Sequence, residues 1–382
     1  MAQKKCIGLV YKYDEAWIGG TYYVENIIKA LNQLDDSHKP FIYLFTEDKG
    51  NFDRVKSATA YPYMTYHSLK VQFNLLERMV NRMGRFLGVK AVFNSIKVIH
   101  KISFIYPNPK EFIFQHIDIN KRIFWIPDFQ DVHLPQYFTE SEKIDRENWY
   151  DYLASKTRKI VFSSSQVLSD FEHLYPTSTV KTSLLPFAVT SSQEVYSEER
   201  VVATKEKYDI RSSFFICSNQ LWAHKNHKVI LEAAKLLNEE DKNIKILISG
   251  KEEDYRNPNF PQELKNLVPE FGIEEEVTFL GFIPKVDLEI LVQEARGIIQ
   301  PSLFEGWNTS IEEGKAKGKF IIASNIAVHR EQLLGYHNSI TFNPSSPNEL
   351  KNILIDMSVQ NENCYDYSEN IKSFANSILK LG

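Results

Sequence analysis

The run GIIQPSLFEGWNTSIEEGKAKGKFIIAS, residues 297–324, reads as strand, loop, helix, strand. Its short apolar runs, GIIQPS (Gly297 to Ser302) and FIIAS (Phe320 to Ser324), have the length of strands buried on both faces. Between them an acidic and aromatic loop leads into a helix near Thr309. Working outward, the same alternation continues through FFICSN (Phe214 to Asn219), a helix from Asn226 to Asn238, KILISG (Lys245 to Gly250), VTFLGF (Val277 to Phe282), a helix around Val286 to Glu294, and SITFNP (Ser339 to Pro344). Strands alternating with helices in this way imply an α/β fold with a doubly wound, Rossmann-like parallel sheet.

The first half of the chain carries a second such pattern. CIGLVY (Cys6 to Tyr11) is a strand, followed by a loop holding Gly19 and Gly20 and a helix from Thr21 to about Leu34. FIYLFTE (Phe41 to Glu47), FIFQHI (Phe112 to Ile117), RIFWIP (Arg122 to Pro127) and KIVFSSS (Lys159 to Ser165) are the further strands expected. The polar, aperiodic stretch FAVTSSQEVYSEER (Phe187 to Arg200) is the domain boundary. The division expected is therefore 1–190, one Rossmann-like domain; 191–367, a second; and 368–382, a C-terminal helix returning to the first. Ligands of open α/β sheets bind beyond the carboxyl ends of the strands, so the cleft between two such sheets is the expected site.

Composition excludes several classes. With 43% apolar and 25% charged residues the chain is an ordinary globular one, and its net charge of -4 argues against nucleic acid as a partner. Cys6, Cys217 and Cys364 have neither disulfide-framework nor zinc-ligand spacing, which fits a reducing cytoplasm. No apolar stretch approaches the roughly 18 residues of a membrane span. GKAKGKF (Gly314 to Phe320) lacks P-loop spacing, and no GxGxxG follows the first strand.

The chemistry concentrates in two loops. Backbone N–H groups at a helix start are unpaired and lie at the positive end of the helix dipole, so Gly306, Trp307, Asn308, Thr309 and Ser310 suit a diphosphate. Glu305 just before the turn and Glu313 one turn into the helix offer acceptors for sugar hydroxyls; by themselves they equally fit a loop acid and a helix-start acid. In SNQLWAHKNH (Ser218 to His227) Lys225 stands at a strand-to-helix junction over the same sheet edge, placed to neutralise phosphate. His224 and His227 have no companions for a metal, and Asp118 in HIDIN is a broken Asp-x-Asp pattern, so no metal is expected. WIPDFQDVHLPQYF (Trp125 to Phe138) exposes Asp128, Asp131 and His133 at the other sheet's edge, as acceptor contacts or loop-stabilising groups.

With these residues the chain resembles glycosyltransferase family 4, retaining enzymes of GT-B fold, over nearly its whole length. The resemblance rests on the E-x7-E pattern Glu305 to Glu313 within FEGWNTSIEE, on Lys225 in WAHKNH, and on the strings LGFIPK, IIQPSLFEGW and ASNIAVHREQ. It implies that Glu305 contacts the donor sugar, Glu313 the nucleotide ribose and Lys225 the diphosphate, with Gln220, Phe282, Gly19 and Gly20 in the donor-binding surround. Gln220 stands where many members carry Arg, and Pro127-Asp128 where many have His-Asp. The implied reaction is metal-free and cofactor-free front-face transfer from a nucleotide-diphosphate sugar to a saccharide or lipid-linked saccharide acceptor, in surface polysaccharide or lipid-linked oligosaccharide synthesis. Glu305, Lys225 and Asp128 would be the catalytic set. A GT-B-like sugar-nucleotide 2-epimerase and a non-catalytic GT-B glycan-binding or scaffold protein are the competing readings. The basic stretch Leu69 to Lys101, with Arg78, Arg82, Arg85 and Lys90, reads either as an anionic-membrane docking element at the inner face or as a solvated helical face.

Overall fold

The computed structural model describes residues 4–13, 18–69, 79, 80, 82, 83, 101–110, 112–114, 117–190, 196–356 and 365–382. Most of the basic stretch 69–101, including Arg78, Arg85 and Lys90, lies outside the described residues, as does Cys364.

Two parallel sheets dominate. In the first half β1 (Cys6–Val10), β2 (Phe41–Thr46), β3 (Met64–Ser68) and β4 (Phe104–Tyr106) lie in the order β3-β2-β1-β4. A parallel bridge between Ile105 and Arg122 joins them to β5 (Phe124–Ile126), β6 (Lys159–Phe162) and β7 (Lys181–Leu184), ordered β5-β6-β7. In the second half β8 (Phe214–Ser218), β9 (Lys245–Ser249), β10 (Val277–Gly281), β11 (Gly297–Gln300), β12 (Ile321–Ser324) and β13 (Ser339–Phe342) form the order β10-β9-β8-β11-β12-β13. The strand order reverses between β8 and β11, which is where an open α/β sheet leaves a crevice at its carboxyl edge.

The sequence predicts the second sheet strand by strand, because each of its strands is a bounded apolar run. In the first sheet two expectations are corrected. The described first half of FIFQHI is not a strand: Phe112–Phe114 is a 3-10 turn whose Ile113 and Phe114 pack against Val10 and Phe45. The strand beside β1 is instead Phe104–Tyr106, and Pro107 and Pro109 after it lack the N–H groups that a ladder needs. Gly19 and Gly20 do not form a loop before the helix; the helix runs Ile18–Asn32 and holds both in its first turn. A first turn has no intrahelical N–H bonds to lose, so glycine's weak helix propensity costs little there.

The last helix, Ser368–Leu379, leaves the second half and buries Ile371, Phe374, Ala375 and Ile378 in the first half's core with Tyr23, Ile27 and Leu31. Among the described residues no helix is long and apolar enough to cross a membrane.

Candidate functional site

Two loops leave the carboxyl ends of β8 and β11, the strands on either side of the order reversal, and their side chains meet. Lys225 Nζ donates to Glu305 Oε1 at 2.6 Å. The same oxygen accepts from Ser302 Oγ at 2.7 Å and from Asn308 Nδ2 at 3.1 Å. Three donors on one oxygen fix the carboxylate and leave Oε2 as its unused acceptor. Glu305 is 8% exposed, so a fixed charge here acts in a poorly screened setting. His224 and His227 flank Lys225 and are buried; burial holds His224 well below the ordinary imidazole range and His227 down at about 3, so both are neutral. The described residues hold no cluster of three or more metal-ligating side chains.

The helix Thr309–Ala316 is set by its neighbours. Gly314 lies so close to β11 that a Cβ there would stand 2.4 Å from Ile298 Cδ1, which brings the helix down onto the sheet. Asn308 caps it, its Oδ1 accepting from Ile311 N at 3.1 Å. The expected use of all the turn's amides is corrected at Asn308: its N–H donates to Gln332 Oε1 at 2.9 Å, and Gln332 Nε2 returns a bond to its carbonyl at 2.9 Å. The Thr309 and Ser310 N–H groups of the first turn remain for a ligand.

Gly306, which lines the cavity described below, is also constrained by the opposite wall. A Cβ on it would lie 2.1 Å from the Pro127 carbonyl oxygen and 2.9 Å from Asp128 Cβ, so glycine is required where the two halves touch. Trp307 is likewise at that junction, its Nε1 donating to the Phe187 carbonyl at 3.0 Å while its ring packs against the first half's core.

From the first half, Asp128 reaches the cleft. Its Oδ1 accepts from Gln130 N at 3.0 Å and lies 3.9 Å from Arg146, which sits closer to Asp131 at 3.2 Å. Burial holds the Asp128 carboxyl above its usual range, with Asp131 and Glu305 pushing the same way and Arg146 opposing. His133 pairs with Asp170 at 2.8 Å, stacks near Phe304 and is held above its usual range by that hydrogen bond.

Asp128, His224, Lys225, Glu305 and residues 306–310 line a cavity of ≈ 270 Å³ that also takes in Gly19, Gln220, Tyr22, Tyr23 and Trp125; Asp131 and His133 do not line it. A second, smaller cavity adjoins it through Thr309 and holds Glu313 with Lys29, Lys285 and Lys317. Burial raises the Glu313 carboxyl. Glu305 and Glu313 thus face adjoining spaces on either side of the helix start. Gly20 lines neither cavity, and neither does Phe282, which is 77% exposed after β10.

Three contributors escape sequence reading. Ser302 and Gln332 position Glu305 and the turn, and Arg256, buried against Trp222 and Phe138, donates across the cleft to Gln130 Oε1 at 3.2 Å. Ser302 lies three residues before Glu305, a spacing that could have flagged it. Gln332 and Arg256 act over long sequence distances and carry no local signal. Glu312, beside Glu313, is a buried tie: it accepts from Tyr367 Oη at 2.7 Å, Gln332 Nε2 at 3.0 Å and Lys315 Nζ at 3.3 Å.

The chain is similar to several known proteins. Residues 203–374 match the family model "Glycosyl transferases group 1". Serotype-specific mannosyltransferase WbdA of Escherichia coli is 24% identical over 161 residues, covering 42% of this chain and 19% of WbdA, so the match spans about a fifth of that relative's length. Among solved structures, a glycosyltransferase from Rickettsia africae ESF-5 superposes with TM-score 0.64 at 16% identity, over 98% of this chain and 93% of that one. Anabaena Alr3699/HepE in complex with UDP and glucose gives TM-score 0.62 at 14% identity, over 99% and 96%. The chain thus has the GT-B fold, and its residues 203–374 carry the sequence pattern of the glycosyl transferases group 1 family.

Proposed function

We propose that the protein is a retaining, metal-independent glycosyltransferase that moves a sugar from a nucleotide diphosphate to a saccharide acceptor in polysaccharide synthesis. One observation carries the reading: Lys225, the unpaired N–H groups of Thr309 and Ser310, and the fixed carboxylate of Glu305 converge on one interdomain cavity at the β8/β11 crevice. Lys225 and the two N–H groups receive the diphosphate, and Glu305 Oε2 accepts from the sugar's hydroxyls. Glu313, in the adjoining cavity, takes the ribose. The acceptor enters beside Asp128 on the first half's wall.

In the step itself the bond from the anomeric carbon to the diphosphate oxygen breaks, its electron pair leaving with the diphosphate. The acceptor oxygen bonds to the same face of that carbon, and its proton passes to the departing oxygen. Lys225 and the helix start stabilise the charge that develops on the leaving group, the contribution that preorganised donors make most effectively. Asp128 is placed to orient the acceptor hydroxyl. The excess of basic over acidic residues in the sequence of the stretch 69–101, where Arg78, Arg82, Arg85 and Lys90 stand against one acid, Glu77, supports docking to an anionic membrane, from the cytoplasmic side, with a lipid-linked saccharide as acceptor.

Because one relative is a mannosyltransferase and one structural neighbour holds UDP and glucose, the donors to try first are a mannose and a glucose nucleotide, GDP-mannose and UDP-glucose. The test is incubation of the purified chain with each donor and a panel of oligosaccharide acceptors, with NMR of the product's anomeric centre. Retention of donor configuration without added metal is expected. Inversion, or epimerised donor without transfer, overturns the reading.

A further inference from the structure

The charged groups of the larger cavity and its wall are counted against each other first. Lys225 is already met by Glu305 at 2.6 Å, and Arg146 by Asp131 at 3.2 Å with Asp128 at 3.9 Å. The nearby Arg256 is held by Asp254 at 3.6 Å and by Gln130, and His224 is neutral. Carboxylates therefore balance or outnumber cations before any ligand arrives. A diphosphate drawn to Lys225 takes up that cation's charge, and Glu305 and Asp128 are left as surplus anions. Both lie next to the place: Glu305 touches Lys225, and Asp128 Cβ is 2.9 Å from the point where a Gly306 side chain would begin. Burial is the main reason the Asp128 carboxyl lies above its usual range; Arg146 and the Gln130 N–H oppose the rise, and Asp131 and Glu305 add to it. The remaining wall mixes neutral polar side chains, Gln130, Ser163, Asn219 and Gln220 among them, with the aromatic rings of Trp125, Phe187 and Trp307, and carries no further charge.

We infer that the transferred sugar is an uncharged one, a hexose that donates hydroxyl hydrogens to the Glu305 and Asp128 carboxylates, and that hexuronates and other anionic sugars are excluded by those same two groups. The inference rests on the nucleotide-sugar reading above and narrows its substrate class. A hydroxyl supplies the proton that each carboxylate needs, whereas a sugar carboxylate supplies a third anion in a space where screening by water is weak.

The test uses donor pairs that differ only at C6: UDP-glucose against UDP-glucuronate and GDP-mannose against GDP-mannuronate, each with the full chain. Turnover is read as transfer, or as donor hydrolysis where the acceptor is not found. The neutral member of the active pair is expected to have kcat/KM higher by about 100-fold or more, the size of one unfavourable charge contact in a partly buried site. In Asp128→Asn the ratio within the pair should narrow by about 10-fold whatever happens to the absolute rate, because a surplus charge has gone and the shape has not. A uronate used as well as its neutral partner overturns the inference and leaves the glycosyltransferase reading standing. An unchanged ratio in Asp128→Asn also counts against it. No turnover or binding of any nucleotide sugar overturns both.

Discussion

Glu305 on one wall of the cleft receives Lys225, Ser302 and Asn308, all from its own half, while Asp128 on the facing wall has one backbone bond at 3.0 Å and a guanidinium it shares with Asp131. One carboxylate is fixed before any ligand arrives; the other is raised by burial and incompletely partnered. The difference teaches where preorganisation resides. The second half holds a fixed carboxylate, a lysine and a capped helix start together at the switch point of its sheet, and the first half supplies a wall whose properties depend on the second half being closed against it.

The largest effect that tests this contrast is at Lys225. Lys225→Ala should lower kcat/KM by about 100-fold to 1,000-fold, as removal of one preorganised charge donor does elsewhere. Unchanged kcat/KM in a folded variant would move the diphosphate away from this wall.

Acid should separate the walls next. His227 and His329, both in the second half, are depressed chiefly by burial to about 3 and about 4 from the usual 6.5. Depressed folded values mean that the unfolded chain binds the protons first, so their contribution is complete above pH 6.5 and is lost as pH falls toward 4. Each costs up to about 1.4 kcal/mol per pH unit in that window. Asp128 runs the other way, since its raised carboxyl favours the folded state as it protonates. Thermal melts between pH 7 and pH 4 should show the fall, and His329→Gln should flatten it; a pH-independent Tm breaks the contrast.

Gly306→Ala probes the contact between the walls themselves. With a Cβ 2.1 Å from the Pro127 carbonyl the halves must part or the loop must shift, at about 1–3 kcal/mol, the usual cost of overpacking. Urea denaturation with wild-type midpoint and wild-type KM would show that the walls do not close this tightly. The smallest effect is expected at Glu331, whose carboxylate accepts from Ser165 N at 3.0 and 2.9 Å across the halves at an exposed edge. Glu331→Ala should cost no more than about 1 kcal/mol, because exposed charged contacts are screened. A larger loss would make this edge, and not the Gly306 junction, the principal clasp.

Local pattern sufficed for the second sheet, where every strand from Phe214 to Phe342 is a bounded apolar run followed by a helical segment. The Glu305 and Lys225 loops could therefore be placed on one sheet edge before their contact was seen. In the first half FIFQHI has the composition of a strand, yet its Phe112–Phe114 is a turn, because Phe104–Tyr106 already occupies the ladder beside β1 and prolines follow it. Apolar composition alone does not choose between those two segments; ladder partners do.

The sequence by itself determined the α/β alternation, the helix start that follows Asn308, and the identity of the charged residues at the two strand ends. Those follow from periodicity, capping and residue chemistry within about a dozen neighbouring positions. Only the tertiary structure decided that Glu305 Oε1 would be saturated while Oε2 stayed open, that Asn308 would give its N–H to Gln332, and that Gly306 would lie against Pro127. The physical reason is common to all three: hydrogen-bond saturation and steric closeness are properties of atoms brought together from distant parts of the chain, and no local pattern encodes which of them arrive.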